Sequence, residues 1–405
     1  MIDAPTRKLS ERAINALPSP TLTIAAKANA LKAEGRDIVS FSAGEPDFDT
    51  PQNVKDAAIK AINSGQTKYT PSSGTPALKN AIIAKLERDN GLTYKPSQII
   101  ASAGAKHSIY NLMQAILQKG DEVLIPAPYW VSYPEQVKLA GAKPVIVPTD
   151  SQFQITASAL ERFVTAETKL IVLNSPSNPT GAVYEESTLR DIAELAVRYG
   201  IYVMSDEIYE KVLYDGRKPV SIASLNNAIK DLTITINGLS KSHSMTGWRL
   251  GYAAGDAEIV AAMGRIQDQS TSNPSSITQA AGVEALNGPQ DAVELMRVEF
   301  QKRREYIVKA LNEIPDVTTN LPGGAFYVFP NVGKLYGRSY TVDGVTKVIE
   351  SSDSIAEYML EQADVAVVPG SGFGADDYIR LSYATSMENI VKGTARIAEA
   401  IGRLA

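Results

Sequence analysis

The 405-residue sequence contains no cysteine and only two histidines. Without cysteine the chain can form neither disulfides nor thiolate metal sites, and it has no cysteine nucleophile. His107 and His243 stand outside any carboxylate-rich cluster. Since zinc and iron sites commonly depend on imidazole ligands, the sequence predicts no metal site.

The sequence also lacks an excess of basic residues and a long apolar run. Its 40 basic and 45 acidic side chains are interspersed and give a net charge of -5, which argues against nucleic acid or an anionic membrane as a partner. Residues 1–17 lack the continuous apolar core of a signal peptide, and no run approaches the roughly 18 residues of a membrane span. We therefore expect a soluble, cytoplasmic enzyme.

Short β-rich apolar runs alternate with helix-length amphipathic stretches between about residues 50 and 290, which is typical of βαβ units around a mainly parallel sheet. Several of the predicted strands are apolar on both faces, as buried parallel strands should be. A helix with apolar residues at helical spacing is predicted after Gly104, with its end at Lys119–Gly120. The seven predicted strands are Gln98–Ala103, Glu122–Pro126, Pro144–Pro148, Lys169–Asn174, Ile201–Asp206, Thr233–Asn237 and Leu250–Ala254.

The length of the chain predicts two domains, since single cores usually stop growing near 250 to 300 residues. We expect residues 49–290 to form the large domain and residues 291–405 to form a linking helix and a smaller α+β domain, joined by the N-terminal segment 1–48. The predicted elements of the smaller domain are strands Ala325–Phe329, Ala366–Val368 and Tyr378–Ser382 and helices Ser354–Ala363 and Met387–Leu404.

The segment Pro289–Pro315 is predicted to be a long charged helix, and Leu335–Thr346 a polar surface loop. The residues expected on the solvent face of that helix are Arg297, Glu299, Lys302, Arg303, Arg304 and Glu305.

Polar residues follow four of the predicted strands. They are Gly104–Lys106, the loop Asn174–Gly181, the acidic segment Asp206–Tyr209, and Lys241 with Arg249 shortly after it. Taken singly, each is more typical of a turn, a helix N-cap or a surface charge. In an open parallel sheet, however, ligands bind outside the carboxyl ends of the strands, and these residues converge there. A phosphate cup, a carboxylate, an amide, a tyrosine and a lysine are together what pyridoxal 5'-phosphate requires.

Several motifs in order resemble a known family. NPTG, SDEIYE, SK-x7-R and RLSYA resemble the fold-type I pyridoxal-phosphate aminotransferases. AGEPDFDTP, KYTPSSG, APYWVSYPE and SMTGWRLGYAAG are similar to the bacterial branch of the class I aspartate aminotransferases. The resemblance implies an α/β fold in which helices sandwich a mainly parallel seven-stranded sheet, with a smaller α+β domain made of both termini.

The resemblance assigns roles around the cofactor. Lys241 corresponds to the lysine that holds the cofactor as an imine and carries the proton, and Asp206 to the acid that keeps the pyridine nitrogen protonated. Tyr209 and Asn178 correspond to the donors to the phenolate oxygen. The phosphate cup would consist of Gly104, Ala105 and Arg249, with Ser240 as a further contact.

Two aromatic residues complete the cofactor site that the resemblance implies. Trp130 corresponds to the side chain that stacks on the cofactor ring. Tyr69 corresponds to a tyrosine that reaches the phosphate of the neighbouring subunit, which implies a homodimer with shared active sites.

The resemblance also assigns substrate contacts. Arg380 corresponds to the arginine that binds the α-carboxylate of the substrate in two parallel hydrogen bonds. Gly44 corresponds to a glycine whose backbone closes over the substrate, and Asn178 and Trp130 are further substrate contacts. Because there is no Arg or Lys between Arg265 and Arg297, the distal carboxylate is assigned to Lys106, with Thr21 nearby. Closure of the small domain over the substrate is a hypothesis from the positions of these motifs.

The implied reaction converts aspartate and 2-oxoglutarate to oxaloacetate and glutamate in two half-reactions. A prephenate or broader-specificity aminotransferase is the alternative within the family, and a pyridoxal-phosphate-dependent lyase is a further one. A catalytically silent regulator is disfavoured by the intact Lys241, Asp206 and Arg380. A nicotinamide dehydrogenase is disfavoured because SAGAKHS lacks G-x-G-x-x-G.

Overall fold

The computed structural model describes residues 9–405, so the first eight residues of the predicted N-terminal segment lie outside the described part. The strands are β1 Val39–Ser40, β2 Ile99–Ser102, β3 Glu122–Ala127, β4 Lys143–Pro148, β5 Thr168–Asn174, β6 Tyr202–Asp206, β7 Thr233–Gly238, β8 Gly251–Ala254, β9 Tyr327–Val328, β10 Ser339–Val342, β11 Val345–Val348, β12 Val365–Ala366, β13 Val368–Pro369 and β14 Ile379–Ser382. The helices are α1 Glu11–Asn15, α2 Pro20–Ala33, α3 Gln52–Asn63, α4 Pro76–Asn90, α5 Ala105–Ile116, α6 Ser132–Leu139, α7 Ala157–Glu161, α8 Glu186–Tyr199, α9 Asn227–Leu232, α10 Ala257–Ser270, α11 Ser276–Asn287, α12 Asp291–Asn312, α13 Ser352–Gln362 and α14 Met387–Gly402.

A seven-stranded sheet forms the centre of the molecule, in the order β2-β8-β7-β6-β5-β3-β4. All neighbouring strands are parallel except β8, which is antiparallel to both β2 and β7. The sheet confirms the predicted fold class, and each of the seven predicted strands is present to within one or two residues. The predicted helix after Gly104 is also present, but it ends at Ile116, before its expected stop.

Helices cover both faces of this sheet. Ile99 and Ala101 of β2 pack in one core cluster with α4, whereas Ile100 packs in another with α5. This alternation follows from the two-residue period of a strand. Each fully buried aliphatic side chain stabilises the fold by about 1.5–3 kcal/mol relative to exposure.

Besides the central sheet, residues 9–405 form three smaller ones, one of which is the two-stranded pair of β10 and β11. β13, β14 and β9 form an antiparallel sheet in that order, and β1 pairs in parallel with β12. The N-terminal segment is therefore held against C-terminal elements. A Cβ at Gly393 of α14 would lie 2.4 Å from the Phe41 ring, so the absence of a side chain there permits close packing after β1. The domain boundaries stay a prediction.

Two predicted elements of the C-terminal part differ from those observed. The segment Leu335–Thr346 is not a loop, because β10 and β11 form an antiparallel hairpin around Asp343 and Gly344, both with positive φ. This Asp-Gly pair is a favoured hairpin turn and was the available signal. Residues 366–368 also fall in two separate strands, β12 and β13.

Arg303 and Arg304 of α12 are buried, not on the solvent face of the helix. Arg303 donates hydrogen bonds to Asp47 at 2.7 Å and to Glu299 at 3.2 Å. Arg304 forms two 2.7 Å hydrogen bonds with Asp215. Both guanidinium groups are buried because acidic residues distant in sequence pair with them, which periodicity within the helix does not reveal.

No helix within residues 9–405 combines the length and apolar character needed to cross a bilayer.

Candidate active site

A cavity of about 470 Å³ lies at the carboxyl ends of the central strands. β5, β6 and β7 run parallel, so the residues that end or follow them meet at one edge of the sheet. Predicted site residues that line this cavity are Thr21, Gly44, Ala105, Lys106, Trp130, Asn178, Asp206, Tyr209, Ser240, Lys241, Arg249 and Arg380. Gly104 and Tyr69 are not among its lining residues.

Lys241 follows β7 and brings a primary amine to the cavity. Its Nζ donates a 2.5 Å hydrogen bond to the Gly44 carbonyl, 197 residues away in sequence. Burial lowers the pKa of Lys241 to about 8, although the charge of Glu45 acts in the opposite direction. A large fraction of this amine is therefore neutral and nucleophilic near pH 8.

Asp206 ends β6 and is 4% exposed. Its Oδ2 accepts a 2.6 Å hydrogen bond from Tyr133 Oη, and its Oδ1 accepts one from the Ile208 N–H at 3.2 Å. Burial raises the pKa of Asp206 to about 6, against the lowering effect of these donors and of Lys241. A buried carboxylate of this kind is stabilised by a cation placed against it.

The first turn of α5 and Arg249 form a cradle for an anion. No side chain caps this helix, so its first N–H groups are left for a ligand. Arg249, at φ +56°, donates to the carbonyls of Thr246 and Ala103. Gly104 has φ +93°, and a Cβ there would lie 2.4 Å from Arg249 Nη2. A side chain at position 104 would strain this backbone conformation and displace the guanidinium from the turn, so glycine suits both requirements.

Arg380, in β14, lies across the cavity and is 2% exposed. Its Nη1 donates to Asn178 Oδ1 at 3.0 Å and its Nη2 to the Ser42 carbonyl at 2.8 Å, while the buried Nε has no partner within the described residues. Its guanidinium lies 4.7 Å from the Tyr327 ring centroid. The planar fork is thus fixed in position and suited to a carboxylate.

Lys106 and Trp130 lie together on the cavity lining. Lys106 Nζ is 4.8 Å from the Trp130 ring centroid, a cation–π contact. Burial is the main cause that lowers the pKa of Lys106, with a contribution from Arg249. Thr21, in the first turn of α2, lines the same cavity.

Tyr69 is 91% exposed and stands apart from this cavity. Its loop is tied to α11, because Gln279 donates to Thr70 Oγ1 at 2.9 Å and accepts from the Thr75 N–H at 2.8 Å. Within one chain, therefore, the structure does not bring Tyr69 to the other predicted residues.

Sequence reasoning did not assign several further lining residues. Among them, four interact with predicted site residues: Ser42, Glu45, Tyr133 and Tyr327. Tyr133 stood inside the APYWVSYPE motif. Tyr327 stood in a predicted strand far from the other motifs, and a single hydroxyl in an apolar run gave no signal.

The donors in this cavity fit a phosphorylated pyridine aldehyde better than a metal ion. The cavity combines an amine, a buried carboxylate and an anion cradle. In that cradle, a Cβ at Gly104 would occupy the space beside Arg249. Within residues 9–405 no group of three or more His, Asp or Glu side chains is placed to hold a metal. The chemistry is that of a site for a group with a carbonyl, a basic ring nitrogen and a phosphate.

The family model for aminotransferase class I and II matches residues 36–397, and the chain belongs to this family of enzymes. The chain is 52% identical over 391 residues to an aspartate aminotransferase of Bacillus sp. strain YM-2, covering 96% of this chain and 98% of that protein. It is 49% identical over 395 residues to a probable aspartate/prephenate aminotransferase of Rickettsia bellii, covering 96% and 98% respectively. The structure of the aspartate aminotransferase from Rhizobium meliloti superimposes with a TM-score of 0.94 at 44% identity, covering 99% of this chain and all of that one.

Proposed function

We propose that this enzyme is a pyridoxal 5'-phosphate-dependent aspartate aminotransferase. It would transfer the amino group of L-aspartate to 2-oxoglutarate and release oxaloacetate and L-glutamate. The observation that carries the proposal is the placement of Lys241, Asp206 and Arg380 around one cavity, with a second amine from Lys106 on its lining. The names of the relatives support the choice of substrate.

The cofactor, when bound, supplies an electron-withdrawing ring that stabilises negative charge at the substrate α-carbon. Lys241 would hold its carbonyl carbon and Asp206 its ring nitrogen. Tyr209 and Asn178 would donate to its phenolic oxygen. The backbone N–H groups at the start of α5, with Arg249, would bind the phosphate.

The protein groups also bind the substrate and move its proton. Arg380 takes the α-carboxylate in two parallel hydrogen bonds and thereby fixes which face of the α-carbon meets Lys241. The neutral Lys241 amine accepts the proton from that carbon and later returns it. Closure of the segment around Gly44 would exclude water from this step.

The second carboxylate of aspartate would meet the Lys106 ammonium, with Thr21 beside it. A dicarboxylate is consistent with a related structure, that of the Thermus thermophilus aspartate aminotransferase with maleate. An ammonium binds a carboxylate less selectively than a guanidinium fork does. Prephenate is therefore the second candidate substrate, and relatives named aspartate/prephenate aminotransferases favour it.

A homodimer with shared active sites completes the proposal. Apolar side chains near the N-terminus and on α3 are exposed, and burial of such a group against a second chain is favourable. They are Leu9, Ile14, Leu17, Leu22, Ile59 and Ile62. The exposed Tyr69 would reach the partner's phosphate. The cytoplasmic location stays a prediction from the sequence.

Titration of the purified protein with pyridoxal phosphate tests the proposal. We expect a visible absorbance band, borohydride fixation of the cofactor on the Lys241 peptide, and its loss in Lys241→Ala. Aspartate should yield oxaloacetate in single turnovers. Production of alanine or fumarate instead would indicate a lyase, and absence of the band would overturn the proposal.

A further inference from the structure

Tyr327 is a fully buried residue whose hydroxyl faces the proposed active site. It lies in β9 and lines the cavity. Its Oη is 2.7 Å from Tyr209 Oη, and this is the hydroxyl's one hydrogen bond within residues 9–405. The two rings meet edge to face, with centroids 5.7 Å apart.

The same side chain contacts two further groups of the site. Its ring lies under the Arg380 guanidinium, 4.7 Å from centroid to Cζ. Its hydroxyl also lies close to Gly44 and leaves no room for a side chain there, because a Cβ at that position would lie 2.9 Å from Tyr327 Oη. Tyr327 therefore touches residues from three separate parts of the sequence.

The direction of the hydrogen bond between the two tyrosines follows from their donors. Each phenol has one proton. If Tyr209 gives its proton to the phenolic oxygen of the cofactor, its Oη can only accept from Tyr327. Burial is the main cause that raises the pKa of both hydroxyls, so both keep their protons at neutral pH. The structure thus supports a chain in which Tyr327 donates to Tyr209 and Tyr209 donates into the cavity.

We propose that Tyr327 is a positioning residue that strengthens Tyr209 as a donor to the cofactor and holds the plane of the Arg380 fork. This inference rests on the proposed function, since it needs a phenolic acceptor beside Tyr209. A donor that itself accepts a hydrogen bond is a stronger donor, because the two bonds polarise each other. Tyr327 therefore helps to keep the phenolic oxygen of the bound cofactor ionised.

The readout is the absorbance of the holoenzyme as a function of pH, which reports the proton shared between the Lys241 nitrogen and the cofactor. Tyr327→Phe keeps the ring under Arg380 and removes only the hydroxyl. We expect this variant to raise the pKa of the absorbance transition by about 0.5 units. In the Tyr209→Phe background the same substitution should produce no further shift.

Tyr383→Phe is the matched control. Tyr383 is equally buried in the same core cluster, its hydroxyl bonds with Tyr214 Oη and the Ala325 carbonyl, and it does not line the cavity. Its loss should lower stability and leave the absorbance transition unchanged. A substitution of 3-fluorotyrosine for Tyr327, whose hydroxyl is a stronger donor, should move the transition in the opposite direction and does not remove a side chain from the core.

A second variant distinguishes the role of the Tyr327 ring from that of its hydroxyl. Tyr327→Leu removes the support of Arg380 as well, and it should raise KM for aspartate several-fold more than Tyr327→Phe does. The inference is overturned if Tyr327→Phe titrates as the wild type does, if the shift persists in full without the Tyr209 hydroxyl, or if Tyr383→Phe shifts equally. Failure of the wild-type protein to form any visible band would instead overturn the proposed function.

Discussion

Tyr133 Oη donates a 2.6 Å hydrogen bond to Asp206 Oδ2 at the floor of the cavity. Burial raises the pKa of Asp206, and this bond acts against that rise by stabilising the charged carboxylate. Tyr133 itself is 1% exposed and follows the segment that contains Trp130. The carboxylate proposed to meet the cofactor ring is thus held in its charged form by a residue from a different strand–helix connection.

Replacement of Tyr133 by Phe should affect catalysis more strongly than it affects the free energy of unfolding. Without the hydroxyl, the pKa of Asp206 rises further, so a smaller fraction of this side chain is charged. The protonated ring nitrogen of the cofactor is then stabilised less well. Since a hydrogen bond to a charged group contributes about 1.5–3 kcal/mol, we expect kcat/KM for aspartate to fall by roughly 10-fold or more. Steady-state kinetics measure this. Tyr129→Phe, in the same segment but off the cavity lining, should retain wild-type activity.

The rate at which the cofactor-free protein captures pyridoxal phosphate should depend on pH through Lys241. The pKa of this amine is lowered to about 8 by burial, so it is mostly protonated at pH 6 and mostly neutral at pH 9. The capture rate should rise nearly 10-fold per pH unit below pH 7 and level off above pH 8, as stopped-flow absorbance would show. A rate that does not change between pH 6 and pH 9 would contradict the lowered pKa.

Glu207 is a buried acid that points away from the cavity. Its Oε1 accepts hydrogen bonds from Ser205 Oγ at 2.8 Å and from Ser221 Oγ at 2.6 Å. Burial, with a smaller contribution from the charge of Glu210, raises the pKa of Glu207 to about 7. Lys85 pairs with Glu210 instead, and no cation is bonded to Glu207 within residues 9–405.

The contribution of Glu207 to the stability of the folded state should therefore become less favourable as pH rises from about 4.5 to about 7. The folded state keeps this proton up to about pH 7, whereas the unfolded chain releases it near pH 4.5. Between these values the folded state binds more protons, so its stability decreases with pH. Glu207→Gln removes the titrating carboxyl group and with it this pH dependence. The free energy of unfolding of the variant minus that of the wild type should therefore increase by roughly 2 kcal/mol from pH 5 to pH 8. Denaturation at both pH values measures it, and an equal difference at each pH would refute the assignment.

Most of the central sheet, and the charged residues that follow its strands in the cavity, could be predicted from the sequence, because they depend on local patterns. Asp206 and Lys241 follow apolar strands, and parallel strands bring their carboxyl ends to one edge. Arg303 and Tyr327 could not be placed, since their surroundings come from segments far away in the chain. The partner of Arg303, Asp47, is 256 residues distant, and that of Tyr327, Tyr209, is 118. Periodicity within a helix or strand carries no information about such pairs.

Lys106 is the residue whose replacement should change substrate preference. Lys106→Ala removes the ammonium proposed to meet the distal carboxylate and leaves Arg380 to bind the α-carboxylate. We expect KM for aspartate to rise at least 10-fold, because a charge-assisted contact of about 1.5–3 kcal/mol is lost, whereas KM for alanine or phenylalanine should change little. Kinetics with this panel of amino donors measure the effect. Lys119→Ala, an exposed lysine beyond the end of α5, is the control that keeps wild-type constants. Equal increases for acidic and neutral substrates would show that Lys106 does not bind the distal carboxylate and that selection for dicarboxylates comes from elsewhere in the cavity.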